Sequence, residues 1–109
     1  MNLNYKKYLP LTESTAYILL ALSEPLHGYG VMQKVETMSK GTVKIGPGTL
    51  YGAFSNLEQE GLIAKASEEK RRKSYLLTEK GRGLLKEHIR RIEILLENGL
   101  PTKDWQQGE

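Results

Sequence analysis

Residues 47–78 hold the pattern that most restricts how this chain can fold: one amphipathic helix, followed directly by two short strands. Pro47 presets the backbone of a first helical turn, and Gly61 is typical of the residue just beyond a helix. Between them, apolar residues recur at helical spacing and share one face, namely Leu50, Ala53, Phe54 and Leu57. A helix with one such face has to pack on a core that the neighbouring segments supply.

Two more helices are predicted before this one. Thr12 is a suitable N-cap for a helix through TAYILLALS that ends at Glu24, before a proline. That segment is apolar on nearly all faces, so we expect it to be buried on more than one side. A second helix is predicted from about His27 to Lys40, with Gly41 as its left-handed cap.

A β-hairpin and a long helix are predicted after Gly61. Residues 62–67 and 73–78 have the composition of short strands, and the polar turn EEKRR separates them. Thr78 is a good N-cap for a last helix that runs to about Asn98, before a Gly and a Pro.

The last helix is too long for the domain to cover alone. At 1.5 Å per residue it spans roughly 30 Å, and its apolar stripe continues along that length. An identical helix related by a two-fold axis is the simplest partner for the outer part. The predicted dimer interface consists of Tyr17, Leu85, Ile89, Ile92 and Leu96.

The order of three helices, a hairpin and a helix predicts a mainly helical α+β fold, a winged helix-turn-helix with a C-terminal dimerisation helix. We predict an arm at 1–11, the winged domain at 12–78, the dimerisation helix at 79–99 and a flexible tail at 100–109.

All of the formal excess charge lies in one segment of this layout. The net charge is +3, and residues 65–75 contain five basic residues against two acidic ones. The other eleven basic and eleven acidic residues cancel. By itself, this cluster is as typical of a solvated turn as of a polyanion site. Its position on the tip of the predicted wing favours nucleic acid, because the fold and the charge are independent features of the sequence.

Composition excludes several classes of protein. The chain has no cysteine, so it can form no disulfide framework, thiolate metal site or Cys nucleophile. His27 and His88 are isolated, and we predict no metal and no cofactor. The longest apolar run, Ala16 to Leu22, is far too short to span a membrane, and no signal-peptide pattern is present. These features predict a cytoplasmic protein that contacts no membrane and is not an enzyme.

The fold assigns roles on double-stranded DNA. The third helix enters the major groove through its N-terminal residues, and the wing reaches the backbone or the minor groove. The predicted DNA-binding residues are Pro47, Gly48, Thr49, Tyr51, Ser55, Lys70, Arg71, Arg72 and Lys73. Asn56 and Gln59 have the chemistry to read adenine but lie further along the helix. An alternative for Tyr51 is packing between helices, and Tyr29 is predicted to be a core and capping residue.

Three stretches resemble the PadR family of bacterial transcriptional regulators: HGYGVM (27–32), GPGTLYGAFSNLEQEGLI (46–63) and KRRKSYLLTEKG (70–81). The resemblance covers about residues 12–100. It implies a homodimeric repressor with an N-terminal DNA-binding domain and a C-terminal dimerisation helix, similar to the short-chain subgroup. Gly52 departs from the pattern, because many members have proline after the tyrosine.

The same resemblance implies release from DNA by a small aromatic or hydrophobic effector near the dimer interface. Multidrug-sensing relatives use a tryptophan on the last helix. Trp105 lies beyond Pro101 and off the predicted helix, so that role does not transfer. Candidates to line a pocket are Tyr5, Tyr8, Tyr17, Ile92 and Leu96, which alternatively form only the core of the interface.

The leading hypothesis is therefore a homodimeric, sequence-specific transcriptional repressor that binds a pseudo-palindromic operator. The alternative is a winged-helix protein-interaction module without sequence-specific DNA binding, whose basic wing contacts an acidic protein surface. An enzyme is disfavoured, since the chain contains no phosphate-binding loop and no spacing typical of a catalytic triad.

Overall fold

The computed structural model describes residues 4–69 and 72–99. A 3-10 turn at Lys6–Tyr8 precedes the main elements. These are α1 (Glu13–Ala21), β1 (Leu26–His27), α2 (Gly28–Met38), α3 (Pro47–Gln59), β2 (Ile63–Glu69), β3 (Arg72–Leu77) and α4 (Glu79–Gly99). The predicted order of helices and hairpin is confirmed, and the fold is a mainly helical winged helix.

The helix ends follow the local signals in the sequence. The Thr12 hydroxyl accepts a hydrogen bond from the Thr15 amide at 3.1 Å, which caps α1. Thr78 caps the start of α4 in the same way, by accepting from the Gly81 amide at 3.0 Å. Gly61 has a φ of +75° just beyond α3, a conformation that glycine adopts without strain.

Within residues 4–69 and 72–99 the sheet has three strands, one more than the sequence predicted. The order is β1-β3-β2, with all neighbours antiparallel, and the two-residue β1 pairs Leu26 with Tyr75 and His27 with Ser74. This third strand carries no local signal, because two residues are too few to show a period. It places the start of α2 directly beside the middle of β3.

The hairpin strands extend further than predicted. Glu68, Glu69 and Arg72 belong to the predicted turn EEKRR, but all three are paired strand residues. An irregularity in the pairing between Lys65 and Ser67 interrupts the ladder. From Ala64 onward β2 is exposed, so the distal hairpin extends into solvent and is held by cross-strand pairing.

The core lies where α1, α2 and α3 meet the proximal hairpin and the first half of α4. Phe54 on α3 is buried, and its ring lies 4.7 Å from the ring of Tyr75 on β3. The fully buried side chains also include Ile18, Leu19, Leu22, Val31, Val35, Leu50, Leu62, Ile63 and Leu84. The predicted apolar face of α3 is confirmed, because Leu50, Phe54 and Leu57 are buried and Ala53 packs against the core.

Residues 4–11 are anchored to the domain at both ends of the segment. The Tyr8 hydroxyl donates to the Glu60 carboxylate at 2.9 Å, and the Leu11 amide donates to His88 Nδ1 at 3.4 Å. The Tyr5 hydroxyl lies against Gly83, where a larger residue would collide with it. The N-terminal segment therefore connects the end of α3 to the buried side of α4.

Only the first half of α4 packs on the domain. Leu84, Leu85 and His88 are buried, whereas Ile89, Ile92, Leu95 and Leu96 are exposed. Among the described residues, no helix is both long and apolar enough to cross a membrane.

Candidate nucleic-acid interface

The outer face of α3 presents every predicted contact residue of that helix to solvent. Pro47, Gly48, Thr49, Tyr51 and Ser55 are all exposed, and so are Asn56 and Gln59. They lie opposite the buried face of the same helix, which fixes their direction relative to the core.

The N-terminus of α3 is open to a ligand. Its N-cap is Gly46, which has no side chain to occupy the first amides, and Pro47 stands in the first turn. The Leu50 amide donates to the Gly46 carbonyl, so the amides of Gly48 and Thr49 precede the first intrahelical bond. Free amides at the positive end of a helix dipole favour an anion such as a phosphate.

A polar cleft of about 660 Å³ separates α3 from strand β3. One end of α2 closes it, because β1 holds that end beside β3. The lining residues are His27, Gly28, Tyr29, Tyr51, Phe54, Ser55, Glu58, Arg72, Lys73 and Tyr75. The cleft thus joins predicted contacts of the helix and of the wing in one continuous surface.

Tyr51 combines packing with exposure. Its ring meets the ring of Phe54 edge-on at 6.0 Å, and its hydroxyl lies close above Gly28. The residue nonetheless remains 56% exposed. The packing predicted as an alternative is therefore present at one edge of the ring, and the other edge faces the cleft, where contact with DNA stays a prediction.

The prediction of a buried position for Tyr29 is wrong. We predicted a core and capping role, but the side chain is 61% exposed and lines the cleft. Its hydroxyl accepts a hydrogen bond from the Gln33 side chain at 3.1 Å. The buried face of α2 is set by Val31 and Val35, and Tyr29 lies about 200° around the helix from Val31. Taking these two valines as the centre of the face would have identified it.

The two acidic residues of the wing lie opposite two of its basic residues. The strand register places Glu68 across from Lys73 and Glu69 across from Arg72. Lys65 forms an ion pair with Glu68 at 3.2 Å, and this hydrogen bond raises the pKa of Lys65. Arg72 and Lys73 are exposed on β3, whereas the predicted contacts Lys70 and Arg71 lie outside the described residues.

Burial affects two polar groups that line the cleft, the Tyr75 hydroxyl and the His27 ring. Burial raises the pKa of the Tyr75 hydroxyl, and the carboxylate of Glu58 acts in the same direction. His27 Nδ1 is buried without a hydrogen-bond partner in the described structure. Within residues 4–69 and 72–99, no group of three or more His, Asp or Glu side chains is arranged to hold a metal ion.

A second surface, the α1–α4 groove, lies away from this cleft. It is an open and mostly apolar groove of about 530 Å³, and it contains all five predicted interface residues: Tyr17, Leu85, Ile89, Ile92 and Leu96. Leu85 is only 6% exposed and belongs to the core as well, so it forms the floor. Glu13 and Glu93 add acidic groups to its lining.

Two of the tyrosines predicted to line this groove do not reach it. Tyr5 packs against Gly83. Tyr8 lies in the arm beside the end of α3, where Lys7 and Lys80 approach its ring at 5.0 and 5.2 Å. Only Tyr17 of the three lines the groove. Trp105 lies outside the described residues.

One family model and several curated proteins match this chain. A family model described as the transcriptional regulator PadR-like family matches residues 18–87. A 37.1 kDa uncharacterised protein in transposon Tn4556 of Streptomyces fradiae is 41% identical over 69 residues, which is 62% of this chain and 19% of that protein. The transcriptional regulator YqjI of Escherichia coli K12 is 31% identical over 71 residues, 65% of this chain and 34% of that protein.

The fold also matches solved structures. A PadR family transcription regulator from Clostridium difficile R20291 superposes with a TM-score of 0.67 at 20% identity, over 78% of this chain and 92% of that one. The chain spans about a fifth to a third of the length of the two curated relatives above.

Proposed function

Because the chain belongs to the PadR-like family of transcriptional regulators, which are not enzymes, we propose that it is a homodimeric, sequence-specific DNA-binding repressor that acts in the cytoplasm. The observation that carries this proposal is the cleft that joins the exposed face of α3 to the basic strand β3. An exposed helix beside a cationic hairpin is the arrangement with which winged helices contact duplex DNA.

We propose that the two sides of the cleft make different contacts with DNA. We assign phosphate contacts to Arg72 and Lys73, together with Lys70 and Arg71, and to the open N-terminus of α3. Sequence choice then falls to the uncharged side chains of α3, led by Thr49, Tyr51 and Ser55, which are able to meet base edges. Tyr29 joins them, because its exposed ring lines the same cleft.

The α1–α4 groove supports the homodimer. Ile89, Ile92 and Leu96 are 38%, 46% and 57% exposed on one continuous face of α4. Burying these side chains against a second copy removes apolar surface from water, at about 25 cal/mol per Å². Repression by such a dimer follows from operator occupancy, which blocks other proteins from the same DNA.

The groove also suits the proposed effector. Its size lies in the range typical of sites for small molecules, and its lining is mostly apolar, with Tyr17 and the carboxylates of Glu13 and Glu93 as polar groups. A small aromatic or hydrophobic compound that inserts beside Tyr17 would displace part of the partner subunit's helix from this groove and shift α4 relative to α1. We propose that this movement changes the spacing of the two α3 helices and weakens DNA binding.

The experiment that tests the proposal selects bound fragments from a pool of random duplex DNA. We expect enrichment of a pseudo-palindrome with half-sites about one or two helical turns apart. Recovery of no enriched motif would refute sequence-specific binding and favour the protein-interaction alternative.

The role of the wing is tested by the salt dependence of binding. Replacing Arg72 and Lys73 together with Ala should flatten the plot of log affinity against log salt by about 0.9 for each phosphate that is no longer neutralised. Arg91→Ala is the matched control, since it removes an exposed cation from the far half of α4. Equal slopes for the wing variant and the control would place the phosphate contacts elsewhere.

A further inference from the structure

The apolar stripe of α4, which runs from the buried Leu85 into the exposed half, has the spacing of a two-stranded coiled coil. Leu85, Ile89, Ile92 and Leu96 are separated by four, three and four residues, which corresponds to the d and a positions of a seven-residue repeat. Lys86 and Glu93 directly follow the two d residues, so both occupy the e position. They therefore lie on the same flank of the apolar stripe, seven residues apart.

These two charges have no ion-pair partner among the described residues, although both side chains are exposed. Three other charges on α4 are paired with one another. Glu87 binds Arg90 at 2.6 Å and Arg91 at 3.8 Å, and the hydrogen bond from Arg90 lowers the pKa of Glu87. Glu87, Arg90 and Arg91 lie away from the apolar stripe and are paired within the helix, whereas Lys86 and Glu93 flank the stripe without an ion pair among the described residues.

A two-fold axis midway between Arg90 and Arg91 matches this pattern. In an antiparallel pair around that axis, Ile89 meets Ile92 of the partner subunit and Leu85 meets Leu96 of the partner subunit. In the same register the two e flanks face each other, and Lys86 lies beside Glu93 of the partner subunit. Because the contact is two-fold symmetric, the reverse ion pair forms as well.

Neighbouring registers bring like charges together. A shift by one repeat in one direction sets Lys86 against Lys86 of the partner subunit. The opposite shift sets Glu93 against Glu93 of the partner subunit. A parallel pair instead places each e residue beside a g residue, and here the g positions are His88 and Leu95, which supply no carboxylate.

We propose that two copies of this chain pair antiparallel through α4 and that reciprocal ion pairs between Lys86 and Glu93 of the partner subunit select this register. The occupant of the α1–α4 groove is then helix α4 of a second copy. This inference rests on the proposed homodimer and adds its orientation, its register and the residues that discriminate against other pairings.

The test uses charge reversal in the full chain. Lys86→Glu and Glu93→Lys should each weaken self-association about tenfold, since both symmetric ion pairs become repulsive contacts. The double variant K86E/E93K should restore the affinity of the unmodified chain. Lys44→Glu is the control for net charge, because Lys44 is exposed in the segment between α2 and α3. Sedimentation equilibrium without DNA measures all four variants.

Mixing the two single variants gives a sharper result. A homodimer of either single variant contains two contacts between like charges. The mixed dimer contains two contacts between opposite charges instead, so native mass spectrometry should find mostly the mixed dimer. A random mixture of dimers, or single variants that associate as tightly as the unmodified chain, would overturn the register. If the unmodified chain is monomeric, the proposed homodimer itself fails, and the two failures are thereby distinguished.

Discussion

At the scale of single residues, Gly81 and Gly52 are both helical glycines in opposite surroundings. A Cβ at Gly81 would collide with the backbone carbonyl of Leu62 and the side chain of Leu77. A Cβ at Gly52 would meet nothing within 4 Å. Gly81 therefore lets α4 pack closely on the start of β2. At Gly52 no close contact requires a glycine, and the missing side chain leaves the outer face of α3 flat.

This difference predicts opposite changes in stability for the same substitution. We expect Gly81→Ala to lower the free energy of unfolding by about 1–3 kcal/mol, because the carbonyl cannot move without shifting β2. Gly52→Ala should raise it by up to about 1 kcal/mol through helix propensity. Urea unfolding of both variants measures the effect. Equal changes at the two positions would show that α4 does not pack on Leu62 in this way.

At the scale of elements, the polar face of α4 has an acid-sensitive contact. The hydrogen bond from Arg90 lowers the pKa of Glu87, and the neighbouring charges of Arg90 and Arg91 act in the same direction. A carboxyl whose pKa is lower in the folded state stabilises that state above its ordinary pKa. The stabilisation is lost as the pH falls through the lowered value.

Arg90→Gln should therefore lower the stability of the folded chain by an amount that depends on pH. We expect its melting temperature to fall slightly below that of the unmodified chain at pH 6, and the difference to vanish once the pH is below the lowered pKa of Glu87, where its carboxyl is protonated. Thermal melts across this range measure it. A difference that stays constant with pH would assign the effect to helix packing and not to the ion pair.

The existence of the wing could be predicted from the sequence, whereas the pairing register of its two strands could not. Its existence followed from the composition of residues 62–78, and its basic character followed from counting charges. Its electrostatic balance depends on register, because Glu68 and Glu69 are strand residues across from Lys73 and Arg72. Register is a pairing between two segments, so neither segment specifies it alone.

At the scale of the whole molecule, the distal half of α4 links folding to assembly. If the groove is buried in a homodimer, the melting temperature must rise with protein concentration, since association stabilises the folded chain by mass action. Ile92→Glu should abolish this dependence by placing a charge in the groove.

Ile94→Glu provides the matched control. Ile92 and Ile94 are each 46% exposed on α4, but only Ile92 lines the groove. The Ile94 variant should therefore retain the concentration dependence in thermal melts at several protein concentrations. Absence of the dependence in both variants would indicate that the interface surrounds α4, and its persistence in both would place the interface elsewhere.

The sequence by itself determined the four helices, the two hairpin strands, the helix caps and the apolar faces of α3 and α4. Thr12, Pro47, Gly61 and Thr78 act through local backbone geometry, and the apolar spacing of α3 and α4 is a property of single helices. Only the tertiary structure decided which faces meet. It added β1, brought Tyr29 to the cleft, anchored Tyr5 and Tyr8 to the domain and limited the groove to one tyrosine. These outcomes depend on contacts between residues distant in the chain, and a periodic pattern in one segment contains no information about its partner.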